Sequence, residues 1–88
     1  MESIIQKTKE CYLCGRGWGL QNHHVMNGKP YRKYADADGL TVWLCTECHD
    51  KVHRDATLRL QLKEKAQYAW LRIHGTELFR ERYGKSYI

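Results

Sequence analysis

The run Leu44-Cys45-Thr46-Glu47-Cys48-His49-Asp50-Lys51-Val52-His53 places two cysteines at Cys-x-x-Cys spacing, a histidine directly behind the second, and another histidine four residues on. Two ligands separated by two residues reach one tetrahedral ion from a single turn of chain. An earlier pair, Cys11-Tyr12-Leu13-Cys14, stands 30 residues before it, counted between the inner cysteines. Cys11, Cys14, Cys45 and Cys48 together make a closed four-thiolate set of the kind that holds structural zinc. A chain of 88 residues has a small core, and such an ion supplies on the order of 10 kcal/mol of apparent folding free energy.

A disulfide framework is the competing use of four cysteines in a short chain. Met1 to Glu10 has no apolar core of signal-peptide length, and no stretch approaches the length of a transmembrane helix. The expectation is a cytoplasmic setting without membrane contact, where paired Cys-x-x-Cys motifs bind zinc.

Outward from the cysteines, Gly15 and Gly17 allow Cys11 to Gly17 to turn as a tight knuckle. Leu20 to Met26 and Leu40 to Leu44 read as two short strands, and the second leads directly into Cys45. Between them, Gly28 to Gly39 reads as a long mobile loop carrying Lys29, Arg32 and Lys33. A short helix is expected from Thr46 or Cys48 through His53. A longer one is expected from an Asp55 or Thr57 cap to about Ile73, with Leu58, Leu62, Ala66, Ala69 and Ile73 as its apolar stripe. Gly75 ends it, and Thr76-Glu77 opens a last helix carrying Leu78, Phe79 and Tyr83. The fold class expected is a small α+β zinc-bound domain with a treble-clef core of knuckle, β-hairpin and helix. It forms one domain over 1–88, with the core at about 9–55 and a C-terminal helical extension at about 56–88.

On the short helix, His49 and His53 share one face about one turn apart, so both imidazoles can serve one metal. His23 and His24 are adjacent near the end of the first strand, where neighbouring side chains point to opposite faces. Without a bulge they cannot both reach one ion. One of the pair can join His49 and His53 while the other moves protons, which is the division of labour of a metal-assisted phosphodiesterase. The formal charge of +5 is spread from Lys7 to Lys85 and survives the binding of two divalent ions to four thiolates. It fits a polyanionic partner without showing which face meets it.

Cys11-x-x-Cys14, His23-His24-Val25 and Leu44-Cys45-x-x-Cys48-His49-x-x-x-His53, in that order, resemble the HNH, or ββα-metal, nuclease family. The segments span nearly half the chain. The tail, with Gln67, Phe79 and Gly84-Lys85-Ser86-Tyr87, is similar to small phage and prophage proteins whose first motif is His-His. The resemblance implies that His23, His49 and His53 bind a catalytic divalent metal and that His24 is the general base, cutting DNA to leave 5′-phosphate and 3′-hydroxyl ends. It also implies a phage or host DNA-processing role in the bacterial cytoplasm. The family's middle asparagine, which orients the base nine residues before the histidine matching His49, is Leu40 here. A strand carbonyl, Asn27 or Asp36 is then left to fix the tautomer of His24.

Imidazole ligands favour Zn2+, Ni2+, Co2+ or Mn2+ over Mg2+, although an added carboxylate such as Asp36 shifts that preference. Phosphate contacts are expected from Lys51 and Arg54 on the helix and from Lys29, Arg32 and Lys33 on the loop. One alternative is a zinc-stabilised nucleic-acid-binding module without catalysis. Another is a protein-interaction adaptor using the exposed side of the Thr57 to Ile73 helix, with Trp70 off the main stripe.

Overall fold

The computed structural model describes residues 2–88, with backbone alone for residues 76 and 77. The order of elements is β1 (Leu20–His24), α1 (Tyr31–Asp38), β2 (Thr41–Cys45), α2 (Thr46–Arg54), α3 (Ala56–His74) and α4 (Thr76–Tyr83). β1 and β2 form an antiparallel pair in which Leu20 faces Cys45, His23 faces Val42 and His24 faces Thr41. The architecture is thus α+β, a two-stranded hairpin surrounded by helices. No helix among the described residues is long and apolar enough to cross a membrane.

The expected mobile loop between the strands is largely helix. Tyr31, Tyr34, Ala35 and Asp38 stand at i, i+3, i+4 and i+7, and these are the buried or half-buried positions of α1. Asp38 hides the pattern because an acidic residue does not read as core. Its carboxylate accepts a hydrogen bond from the Tyr83 hydroxyl at 2.6 Å and pairs with Arg82 at 2.5 Å, which ties α1 to α4. Proline before the first turn and glycine after the last also fit a helix, with Pro30 at the N-cap and Gly39 left-handed at φ 74°. At Gly39 a Cβ would collide with the Glu2 carbonyl, so this position requires glycine twice over.

The N-terminal segment lies along the free edge of β2. Ser3 donates to the Thr41 carbonyl, the Ile4 N–H to Gly39 at 2.8 Å, and the Trp43 N–H is taken by the Gln6 side-chain carbonyl at 2.8 Å. Tyr12 N–H then bonds the Trp43 carbonyl at 2.8 Å, which fastens the knuckle to the same strand. Edge groups that would otherwise lack partners are satisfied in this way.

At the α2–α3 corner a single residue, Asp55, closes one helix and opens the next. Its Oδ1 accepts from the N–H groups of Thr57 at 2.9 Å and Leu58 at 3.2 Å, a cap worth about 1 kcal/mol. The core runs from Val25, Met26, Leu40, Val42 and Leu44 through Val52 to Leu62, Ala66, Trp70, Phe79 and Tyr83. The stripe of α3 departs from the expected one at its C-terminal end. Trp70 is only 4% exposed and packs edge-on against Phe79 and Tyr83, whereas Ile73 is 59% exposed. One large ring fills the space left beside small Ala66 and Ala69, so the helix turns its tryptophan inward. Leu78 on α4 likewise faces outward.

Candidate functional site

Two clusters of ligand-type side chains flank the hairpin. The first is Cys11, Cys14, Cys45 and Cys48, whose sulfurs all lie within 4.8 Å of one another. The four are free of disulfides, and Cys14 Sγ and Cys45 Sγ are 3.7 Å apart. Tetrahedral zinc with bonds of about 2.3 Å requires sulfurs about 3.8 Å apart, so the set is compatible with a structural zinc. The knuckle is shaped for it by the Cys11 N–H to Arg16 bond at 2.7 Å and the Gly15 N–H to Cys11 bond at 2.8 Å. The Cys45 sulfur also caps α2, accepting from Cys48 N–H at 3.5 Å.

The electrostatics of this cluster are those of crowded thiolates. Burial opposes ionisation of Cys11, yet the backbone N–H groups of Cys45, Cys14 and Leu13 and the Cys14 thiol bring it down to about 6. Cys48 is driven the other way, by burial first and then by the neighbouring sulfurs. Four sulfurs that cannot all ionise alone are the donor set that a divalent cation relieves.

The second cluster is His23, His49 and His53, which offer one nitrogen each within 4.8 Å of one another. β1 contributes His23, which is 6% exposed, and the face of α2 that packs on the hairpin contributes the other two. Ring centroids of His23 lie 5.2 Å from His49 and 5.9 Å from His53. The Nε2 atoms of His49 and His53 approach to 3.1 Å. His49 Nδ1 is engaged by the Gln21 side-chain carbonyl, so this nitrogen carries the proton and Nε2 presents its lone pair. At that distance His53 Nε2 either donates a hydrogen bond to the His49 lone pair or shares a cation with it. Burial, followed by repulsion from His49, His53 and His24, holds His23 down at about 4, and burial followed by His53 lowers His49. His23 and His49 are therefore neutral near pH 7, the state in which an imidazole binds a metal.

His24 is outside that set, as the strand alternation requires. Its Nε2 lies 3.4 Å from Asp36 Oδ1 on α1. Of the three groups left to orient this ring, Asp36 is the one in contact. Leu40, by contrast, is fully buried in the core. A cleft of about 210 Å³ is bordered by His23, His24, Asn27, Arg32, His49 and His53, so the lone histidine and the triad share one opening. Beside it, a hollow of about 640 Å³ is lined by Lys29, Arg32, Lys33 and Asp36 together with His24. α1 and the turn before it thus bring all three basic residues expected of the loop to the site, Arg32 and Lys33 from the helix and Lys29 from just ahead of it.

Lys51 and Arg54 border neither opening. Arg54 pairs with Asp50 at 3.0 Å on the exposed side of α2. Gln21 is the site residue that the sequence reading passed over. It lies two residues before His23, and period-two alternation puts it on the same strand face.

Comparisons of the chain with family models, with curated proteins and with solved structures found no match. The site is therefore read from its own geometry and chemistry.

Proposed function

We propose that the protein is a metal-dependent DNA endonuclease of the HNH type. The observation that carries the reading is the convergence of His23, His49 and His53 within 4.8 Å, with His24 on the rim of the same cleft. His23, His49 and His53 would hold the divalent cation, which with open positions would supply polarisation of a phosphate oxygen and stabilisation of the leaving oxygen. His24 is the general base. Asp36 holds its Nε2 side as the protonated tautomer, which leaves Nδ1 free to take a proton from water. Asp36 thereby replaces the asparagine missing at position 40. Lys29, Arg32 and Lys33 draw the phosphate backbone into the adjoining hollow.

The donors are three neutral nitrogens, a set suited to Zn2+, Ni2+, Co2+ or Mn2+ more than to Mg2+. A phage or host DNA-processing role in the bacterial cytoplasm belongs to the same proposal. The test is nicking of supercoiled plasmid with each ion in turn. His24→Ala is expected to lose at least about 100-fold in rate with zinc content and helicity unchanged, and full cutting by this variant would remove His24 from the mechanism.

One observation favours a second reading, a zinc-stabilised nucleic-acid binder without catalysis. Leu40 is apolar and wholly buried where the resemblance calls for a polar orienting group. That protein would bind DNA with strong salt dependence and cut under none of the ions. The adaptor reading loses its main support, because Trp70 is part of the core.

A further inference from the structure

A second basic surface lies away from the hollow of α1, on α3 and the C-terminal tail. The Arg59 guanidinium donates to the carbonyls of Val52 at 3.0 Å and His53 at 2.6 Å, so it starts where α2 delivers its last imidazole. Lys63 follows one turn along the same face of α3. Its ammonium stands 5.3 Å from the Tyr87 ring centroid, and the Lys85 ammonium stands 5.0 Å from the same ring. One aromatic ring gathers two cations.

That ring is fixed from beneath. The buried Gln67 accepts the Tyr87 N–H at 2.6 Å and donates to the Ser86 hydroxyl at 2.9 Å. Among the described residues, none of Arg59, Lys63 and Lys85 forms an ion pair with a carboxylate. Burial and then the charges of Lys85 and Arg59 lower the Lys63 ammonium, so the three cations repel one another in the free protein. Holding like charges together without an acidic partner is unfavourable unless an anion completes the arrangement.

We propose that Arg59, Lys63 and Lys85 form a phosphate-binding track that carries the DNA backbone flanking the cleavage site away from the His53 side of the cleft. This rests on the endonuclease reading above. Arg59 has a double task, bracing the end of α2 through one nitrogen and turning its remaining N–H groups to the backbone. Phosphate contact here is independent of sequence, and it adds length to a footprint that the hollow of Lys29, Arg32 and Lys33 alone would keep short.

The experiment is fluorescence anisotropy of a labelled DNA duplex with the zinc-loaded full chain and no added divalent metal, across a salt series. Lys63→Gln/Lys85→Gln is compared with wild type and with Lys9→Gln/Lys65→Gln, which removes the same charge elsewhere. Losing two phosphate contacts lowers the slope of log K against log salt by about 1.8 and weakens binding on the order of 10- to 60-fold at about 0.1 M salt. The proposal expects this for the track variant and a clearly smaller effect for the control. Equal effects in the two variants, or a track variant that binds like wild type, overturn the track and leave the endonuclease reading standing. Absence of any duplex binding by wild type overturns both. Arg59 is left intact because its loss would also loosen α2.

Discussion

Gln21 offers the sharpest test of the imidazole site, because it touches the triad without belonging to it. Its carbonyl oxygen holds the Nδ1 proton of His49 and so directs Nε2 toward His53. Replacing it by valine keeps a good strand former on an exposed position of β1 and removes the acceptor. His49 is then free to rotate or to take the other tautomer. Loss of such an outer partner costs about 10- to 100-fold in metal affinity, or roughly 1.4 to 2.7 kcal/mol. Gln21→Glu should move the other way, since a carboxylate accepts the same proton and makes the ligand nitrogen more basic.

The assay is calorimetric titration of Zn2+ or Ni2+ into protein whose thiolate zinc is already in place, so that only the second ion is counted. The expected order of affinity is Gln21→Glu, wild type, Gln21→Val, with one second-site ion per chain. If valine and wild type titrate alike, the triad is not held by Gln21. If wild type takes up no second ion, the imidazoles are not a metal site.

Three more outcomes follow from the same geometry. Asp36→Asn should slow plasmid nicking and change its pH profile, because a neutral amide supports His24 less well than a carboxylate, while second-ion affinity stays as in wild type. Without a second ion, His23 ionises at about 4 in the fold and at about 6.5 when unfolded. The unfolded chain thus binds the extra proton between those values, and stability present at pH 7 falls on acidification, by about 2 kcal/mol at about pH 5; denaturant titrations of wild type and His23→Gln should diverge in that window. Cys14→Ser should reduce binding at both metal sites, whereas His53→Ala should reduce binding at the imidazole site alone, as read by elemental analysis.

The two strands, α2 and α3 were legible in the sequence because each carries a local signal: short strand segments either side of the 28–39 stretch, a Cys-x-x-Cys pair opening a helix, and an Asp55 cap before a periodic stripe. α1 was not, since three of the four residues on its inner face are tyrosine or aspartate, and the partners of Asp38, Arg82 and Tyr83, lie 44 and 45 residues away. Long-range pairing of this kind is invisible to a local window. The same limit applied to the site. Spacing alone joined His49 to His53 and separated His23 from His24, while the partner of His24 required the path of α1. Trp70 and Ile73 exchanged roles because helical periodicity allows either to face inward, and the choice depends on where Phe79 and Tyr83 arrive.

The two clusters are unequal in what they demand of the fold. The cysteines join a knuckle to the junction of β2 and α2, and Cys45 is at once a strand residue, a helix cap and a candidate ligand. The imidazoles then need only the spacing of β1 from α2 to be right. That spacing is set at one end by the pairing of Leu20 with Cys45 and at the other by Arg59 gripping the last turn of α2. A shift of α2 by one residue would turn His49 and His53 by about 100° and end their approach to His23. Position on the helix surface, more than ligand type, therefore decides whether the histidines converge, and Cys45 and Cys48, which open α2 within the cysteine cluster, help to fix it together with the Leu20 pairing and Arg59.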